Sequence, residues 1–96
     1  MDFAIRISEA ALADFERILA YAWENFPATA ARFGDAILNH VEVLKRFPYI
    51  GSPVGGWDSV RLLVHTPILI YYRVDEASKF IEVLHFWHGS RSPLSP

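Results

Sequence analysis

The sequence predicts an α+β domain in which a helical hairpin covers one face of a mainly antiparallel sheet, in the order β-α-α-β-β-β. Two stretches, 12–26 and 30–44, repeat apolar side chains every three or four residues, which is typical of amphipathic helices. Between residues 60 and 87, three runs rich in β-branched and aromatic side chains alternate with short turns. With 96 residues and 52% hydrophobic side chains, the chain suffices for one such domain, 1–96, and is too short for two.

The first strand and the first helix meet at Ser8. Residues 3–7 alternate apolar with polar or small side chains, as a short strand does. Ser8 is a natural helix N-cap, and Glu9 places an acid in the first turn, where the helix dipole favours it. We expect the apolar stripe of this helix to consist of Leu12, Phe15, Ile18, Leu19, Ala22, Trp23 and Phe26. The charged side chains are expected on the other side of the helix: Asp14, Glu16, Arg17 and Glu24.

The second helix is predicted to begin at Pro27, because proline at the first helical position loses no needed hydrogen-bond donor. Its apolar stripe consists of Ala30, Phe33, Ile37, Val41 and Leu44. It ends at Phe47-Pro48, and only a short break separates it from the first helix, so the two should form an antiparallel hairpin. Gly34 costs about 1 kcal/mol relative to alanine inside a helix. We expect close approach to the first helix to compensate for it.

Three further strands are predicted at residues 60–65, 68–74 and 80–87. A loop rich in glycine and proline, residues 48–57, leads into them. The connections between the strands are short, so the three should form an antiparallel meander. One face of this sheet is then left to water or to a partner. The tail, residues 90–96, has three serines and two prolines and is expected to be loose.

The composition excludes several classes of site. The chain has no cysteine, which excludes disulfides, thiolate metal sites and thiol nucleophiles. Nine basic and eleven acidic residues give a net charge of −2, without the basic excess of proteins that bind nucleic acid through its phosphates. No run of about eighteen apolar residues occurs, and the first residues lack the apolar core of a secretory signal. We therefore expect a cytoplasmic protein without membrane contact or direct sequence-specific nucleic-acid binding.

Five segments carry a resemblance to a known family. They are ALADFERILAYAWENFP in the first helix, AARFGDAILNHVEVLKRFPYIGSPV with its L…FP..G.P turn, VRLL, ILIYYRV and the ending IEVLHFWHGSR. In this order they resemble the RelE/ParE superfamily of bacterial type II toxin–antitoxin toxins, which includes plasmid-stabilisation proteins. The similarity runs over nearly the whole chain, and the FP..G.P turn and the IEVLH ending are more similar to ParE-like than to RelE-like members.

The resemblance implies the fold, a partner and one of two activities. ParE-like members poison DNA gyrase, which makes gyrase the expected target of this chain. RelE-like members are ribosome-dependent endoribonucleases, so the ribosome and mRNA are the alternative. Both kinds are neutralised by a cognate antitoxin, which is the expected partner. A degenerate, non-toxic relative that only binds antitoxin is a further alternative.

Four residues are candidates for catalysis if the nuclease alternative holds: Arg61, Arg73, His88 and Arg91. RNA cleavage through the 2′-hydroxyl needs a base, an acid and charge stabilisation. Arg61, on an open sheet face, could hold a phosphate bidentately, or it could pair with Asp58 or Glu82. His88 is the candidate acid or base, because an imidazole titrates near neutral pH. Residues 48–57 carry no charge, so the lysine pair or glutamate of RelE-like members is missing there. This absence favours a binding protein over an enzyme.

The candidates for partner binding are large aromatic side chains and two arginines: Tyr49, Trp57, Arg61, Trp87 and Arg91. Strand alternation puts Arg73 on one face with Leu69 and Tyr71. It puts His85 in a row with Ile81, Val83 and Trp87 that we expect to be buried, with His85 as a satisfied core histidine. His85 and His88 should point to opposite faces of their strand, so we expect no metal site. We also expect no cofactor.

Overall fold

A computed structural model describes residues 2–91 and residue 94. Its elements, in chain order, are β1 (Ala4–Ile7), α1 (Glu9–Asn25), α2 (Pro27–Glu42), β2 (Ser52–Pro53), β3 (Val60–His65), β4 (Ile68–Asp75) and β5 (Phe80–His88). A 3-10 turn, Val43–Lys45, extends α2. The predicted helices and the four predicted strands are confirmed. Most of the tail that the sequence predicts to be loose, residues 92, 93, 95 and 96, lies outside the described residues. No helix in the described part of the chain is long and apolar enough to cross a bilayer.

The strands form one sheet in the order β1-β5-β4-β3-β2. β1 pairs with β5 in parallel, and the other neighbours are antiparallel. The predicted meander is therefore confirmed, with β1 added at the edge beside β5. The sequence does not anticipate β2, because Ser52–Pro53 is too short to show alternation and proline is rare within strands. The order is thus β-α-α-β-β-β-β, with both helices packed on one face of the sheet.

Helix α1 begins as predicted but turns a different side toward the sheet. The Ser8 hydroxyl accepts a hydrogen bond from the Ala11 amide at 3.1 Å, which confirms the N-cap. The side that faces the sheet carries Ala11, Asp14, Phe15, Ile18 and Ala22. Asp14 is 5% exposed, so its predicted position on the solvent side is wrong. The helix has two adjacent apolar stripes, and the one containing two small alanines packs more closely.

The second apolar stripe of α1 remains on the surface. Leu12, Trp23 and Phe26 are all more than half exposed, although the sequence predicts them in one apolar stripe with Phe15, Ile18 and Ala22, which face the sheet. On α2 the predicted stripe is confirmed, since Ala30, Ile37, Val41 and Leu44 are all buried and Phe33 packs against the core. The close approach at Gly34 is also confirmed. A Cβ atom there would lie 2.8 Å from the Leu19 Cδ2 atom of α1.

The last strand contains a β-bulge that changes which of its residues are buried. Val83 and His85 pair with consecutive residues of β4, so Leu84 is an extra residue on β5. Strict alternation predicts that His85 and Trp87 follow Val83 into the buried row. The bulge reverses the alternation, and Phe86, 1% exposed, enters the core instead. The predicted buried row is therefore wrong beyond Val83.

Candidate functional site

Arg61 ties the loop 48–57 to the sheet. It pairs across the strands with Tyr72, a core residue, so its side chain lies on the face covered by the helices and not on the open face. Its Nη1 atom donates to the Gly51 carbonyl at 2.6 Å and to the Tyr49 carbonyl at 3.2 Å. Its Cζ atom also lies 5.0 Å from the centre of the Tyr49 ring. Backbone carbonyls, rather than the predicted Asp58 or Glu82, are thus the partners of this guanidinium.

Two tyrosines complete this loop attachment. The Tyr72 hydroxyl donates to the Pro48 carbonyl at 2.8 Å and accepts from the Gly51 amide at 2.9 Å, and burial raises the pKa of Tyr72. The Tyr49 hydroxyl donates to the Glu76 carboxylate, and this bond raises the pKa of Tyr49. Hydrogen bonds from Lys79 and then from Tyr49 lower the pKa of Glu76. The loop is therefore fixed through the hydroxyls and the guanidinium together.

A cavity of about 480 Å³ lies beside this attachment, and Trp57 and Arg61 contribute to its lining. Trp57 is half-buried because its ring packs on Tyr71, with 5.9 Å between ring centroids. Arg73 is exposed on the open face, as alternation predicts, directly opposite Glu82 of β5. Glu82 in turn lies opposite Arg6 of β1. This row of alternating charges crosses the open face and gives the cation of Arg73 an acidic neighbour.

Asp14 is a buried, hydrogen-bonded carboxylate that the sequence does not single out as a candidate site residue. Its carboxylate accepts from Arg17 Nη2 at 2.5 Å, from His85 Nδ1 at 2.9 Å and from the Phe86 amide at 3.2 Å. Three donors thus compensate for the burial of this charge. The Phe86 amide is available because the bulge at Leu84 interrupts the regular pairing of β5. His85 is satisfied, as predicted, but its side chain is 32% exposed and therefore lies outside the core.

The remaining candidates gather at the end of β5. The Cζ atom of Arg91 lies 4.9 Å from the centre of the Trp87 ring, and the Arg91 amide donates to the His88 carbonyl at 3.0 Å. His88 Nδ1 accepts from the Ser90 amide at 3.2 Å and lies 2.7 Å from the Ser90 hydroxyl. Beside them is a cavity of about 410 Å³, whose lining includes Arg17 of α1. Arg91 thus contacts Trp87 through its guanidinium and His88 through its backbone, whereas Trp87 and His88, adjacent on β5, project from opposite faces of the sheet.

The four candidates for catalysis do not share one cluster. Arg61 lies opposite Tyr72 of β4, and His88 lies opposite Ile68 of the same strand. The two positions are therefore four residues apart along β4, a distance of roughly 13 Å. Arg73 projects from the opposite face of the sheet to Arg61. Arg91 accompanies His88 alone. The structure therefore brings together only the last two, and the catalytic and partner-binding roles of these residues remain predictions.

A pair of histidines joins α2 to β3. His40 Nδ1, in the last turn of α2, lies 2.9 Å from His65 Nδ1 at the end of β3, and the ring centroids are 5.1 Å apart. One nitrogen must carry a proton and the other must accept it. Burial, followed by repulsion from His40, lowers the pKa of His65. Within residues 2–91 and 94, no cluster of three or more potential metal-ligating side chains occurs.

Comparison with known proteins identifies the family of this chain and structures with a similar fold. The model of the ParE toxin of the type II toxin–antitoxin system parDE matches residues 5–93. The chain is similar to a chain from the chromosomal ParDE system of P. aeruginosa, at 21% identity and a TM-score of 0.77, covering 90% of this chain and 95% of that one. It is also similar to a chain of the RelBE2 toxin–antitoxin complex of Mycobacterium tuberculosis, at 17% identity and a TM-score of 0.69, covering 92% and 99%. A search of curated proteins gives no significant match. Because the family model covers nearly all of the sequence, the chain belongs to the ParE toxin family of type II toxin–antitoxin systems.

Proposed function

We propose that this ParE-family toxin inhibits bacterial growth by binding DNA gyrase and that a cognate antitoxin neutralises it by covering the helical hairpin. Family membership supports the toxin class, and the ParE-like turn and ending of the sequence support gyrase as the target. The net charge of −2 argues against an activity that depends on gripping a phosphate backbone. Recognition of a protein surface is the mode that remains consistent with this composition.

The observation that carries the antitoxin proposal is the exposed apolar stripe of α1. Leu12, Trp23 and Phe26 are 52%, 53% and 60% exposed. Leu12 and Trp23 lie on one side of α1, about three turns apart, and Phe26 caps the helix one turn beyond Trp23. Monomeric soluble proteins rarely expose large contiguous apolar patches, and such patches mark partner surfaces. An amphipathic segment that folds as it binds is a common cover for a helical surface of this kind. The structural relatives, described as toxin–antitoxin systems and complexes, are consistent with such a partner.

Two alternatives remain distinct from this proposal. A RelE-like nuclease would need a base, an acid and a phosphate clamp in one place, whereas Arg61 is engaged with two backbone carbonyls far from His88. A non-toxic relative would bind antitoxin without inhibiting growth. Tyr49, Trp57, Trp87 and Arg91 stay proposed partner contacts under any of these functions.

Controlled expression in bacteria separates the three. Gyrase poisoning should give filamentous cells and DNA-damage signalling while protein synthesis continues. Arrest of translation within minutes, with mRNA cut at ribosome-occupied codons, would instead identify a nuclease. Normal growth, with the protein folded and abundant, would identify the non-toxic relative.

The antitoxin surface is tested by co-expressing the cognate antitoxin, to be sought as a short open reading frame next to this gene. The double variant Leu12→Glu with Trp23→Glu should remain toxic but escape neutralisation, because two buried carboxylates oppose an apolar contact. Val64→Glu, at an apolar residue of similar exposure on the open face of the sheet, serves as the control and should still be neutralised. Neutralisation of the double variant as complete as that of the control would contradict the proposed surface.

A further inference from the structure

Two histidines from separate elements meet where the end of α2 lies against the sheet. His40 belongs to the last turn of α2 and His65 to the end of β3, and their Nδ1 atoms are 2.9 Å apart. Both residues are half-buried, so the pair is partly open to solvent. The sequence predicts no metal site because His85 and His88, on one strand, point apart. The pair of His40 and His65 is brought together by the fold alone, and neither the gyrase nor the antitoxin proposal gives it a role.

The separation of the two nitrogens matches that of two ligands on one metal ion. Bonds between zinc and an imidazole nitrogen are about 2.0–2.1 Å long. Two nitrogens bound to the same ion at an angle of about 90° are then about 2.9 Å apart, and at the tetrahedral angle they are about 3.3 Å apart. The observed 2.9 Å between the Nδ1 atoms of His40 and His65 is therefore at most a few tenths of an ångström from a bidentate arrangement.

The protonation of the pair is also suited to a metal ligand. A metal-binding imidazole must be neutral, with a free lone pair on the nitrogen that binds. Burial, followed by repulsion from His40, lowers the pKa of His65, so this residue stays neutral at physiological pH. Without a metal, one Nδ1 atom donates a proton to the other. With a metal, each ring keeps its single proton on Nε2 and both Nδ1 atoms are free to bind.

The surroundings of the pair favour a cation. The last turn of a helix carries the negative end of its dipole, and His40 lies in the last turn of α2. The nearby cation of Lys45 is balanced by Glu42, at 2.7 Å. The described part of the chain brings no third carboxylate or imidazole to form a larger ligating group with the pair, so water completes the coordination. Imidazole and water suit zinc, copper and nickel, whereas calcium and magnesium prefer oxygen ligands.

We propose that His40 and His65 bind a divalent transition-metal ion of the zinc type through their Nδ1 atoms. The ion replaces the hydrogen bond between the imidazoles and ties the end of α2 to β3. The proposal does not depend on gyrase or on an antitoxin, because it concerns contacts within this chain.

An NMR titration of the isotope-labelled protein with Zn²⁺ at pH 7.5 tests this site. We expect saturable shifts of the imidazole nitrogens of His40 and His65 and of the amides next to them, with a Kd below about 100 µM. The imidazole nitrogen shifts should show Nδ1 bound to the metal and Nε2 protonated in both rings. Mg²⁺ at the same concentrations should leave these signals unchanged, because it prefers oxygen ligands.

Substitutions separate this pair from histidine in general. His40→Gln and His65→Gln should each weaken Zn²⁺ binding at least about tenfold, since one imidazole is left. The glutamine amide can still hydrogen-bond to the remaining imidazole, so the fold should persist, which the dispersion of the amide signals checks. His88→Gln is the matched control. It removes a histidine whose Nδ1 atom accepts from the Ser90 amide, and it should bind Zn²⁺ as the original protein does.

Three results would overturn the proposal. Zn²⁺ could give no saturable shifts at His40 and His65. The imidazole signals of the original protein could show binding through Nε2, which would contradict the geometry without recourse to any variant. His88→Gln could weaken binding as much as His40→Gln, which would indicate scattered binding to surface histidines in place of one site.

Discussion

The bulge at Leu84 divides the sheet into two halves, and different kinds of polar side chain attach the neighbouring loop and helices to each half. The loop half comprises the strand rows of Tyr72–Asp75, where the guanidinium of Arg61 is bonded to backbone carbonyls. The histidine half comprises the rows of 68–71, around which all four histidines lie, in contact with one another, with Asp14 or with Ser90. The loop half is held by a guanidinium and two tyrosine hydroxyls, bonded to backbone groups and to the Glu76 carboxylate. The histidine half is held by imidazole nitrogens, which lie within hydrogen-bond distance of one another, of Asp14 or of Ser90.

This difference shows that residue type alone does not identify a site. An arginine within a strand looks like a phosphate ligand in the sequence, yet Arg61 stabilises a loop. Arg17 looks like a solvated helix charge, yet it borders a cavity beside His88 and Arg91. The groups that a side chain already satisfies decide what remains for a partner. Three substitutions test whether the halves differ as described.

The largest effect is expected from Asp14→Ala in the histidine half. Removing the carboxylate leaves the buried Phe86 amide and the His85 ring nitrogen without their acceptor, so the free energy of unfolding should fall by about 3 kcal/mol. Urea denaturation measures this change. Asp35→Ala, at an exposed position on α2, is the matched control and should change stability by less than about 0.5 kcal/mol. Similar losses for both variants would show that the Asp14 contacts are not responsible.

A smaller loss is expected from Gly51→Ala in the loop half. A Cβ atom at Gly51 would lie 2.7 Å from both the Leu62 carbonyl oxygen and the Tyr72 hydroxyl oxygen, so this packed loop must move. Unfolding should require about 2–3 kcal/mol less free energy, measured by the same denaturation. Gly55→Ala, in the same loop but with no atom within 4 Å of its Cβ, should be neutral. If Gly51→Ala is as stable as Gly55→Ala, the loop is not fixed as described.

The smallest effect concerns pH and His65. Its folded-state pKa is lowered by burial and by His40, so the folded state binds fewer protons than the unfolded state. Stability from this residue should therefore be complete above the ordinary pKa of about 6.5 and decline as pH falls through that value toward the lower folded pKa. Denaturation at a series of pH values should show a shallower decline for His65→Gln. If the His65→Gln variant has the same pH profile as the original protein, other groups cause the loss of stability in acid. If its decline is steeper, the pKa of His65 is raised and not lowered in the folded state.

Local patterns in the sequence predict much of the fold. Ser8, Pro27 and Gly34 have the roles that capping, helix initiation and close packing assign to them. The patterns fail where two orientations of an element would each turn an apolar side toward the core. Helix α1 has two apolar stripes, and only the packing of the whole domain decides that Ala11 faces inward and Leu12 outward.

The candidate site is less predictable because its contacts join distant parts of the chain. Asp14 and His85 are 71 residues apart, and His40 and His65 are 25 residues apart. A periodic pattern in the sequence does not predict contacts between residues so far apart in the chain. The bulge at Leu84 is a further obstacle, because one extra residue reverses the faces of all that follow and provides the amide that Asp14 accepts from. The sequence does place Trp87, His88 and Arg91 together, since they are neighbours in the chain.

The pairing of β1 with β5 has a consequence for synthesis. The strand made first lies at an edge of the sheet and finds its neighbour only in the strand made last. A growing polypeptide can form α1 and α2 early, since their contacts are local, but it cannot complete the sheet until translation reaches β5. Until β5 is made, the side of α1 that packs on β5 in the finished fold therefore lacks its cover.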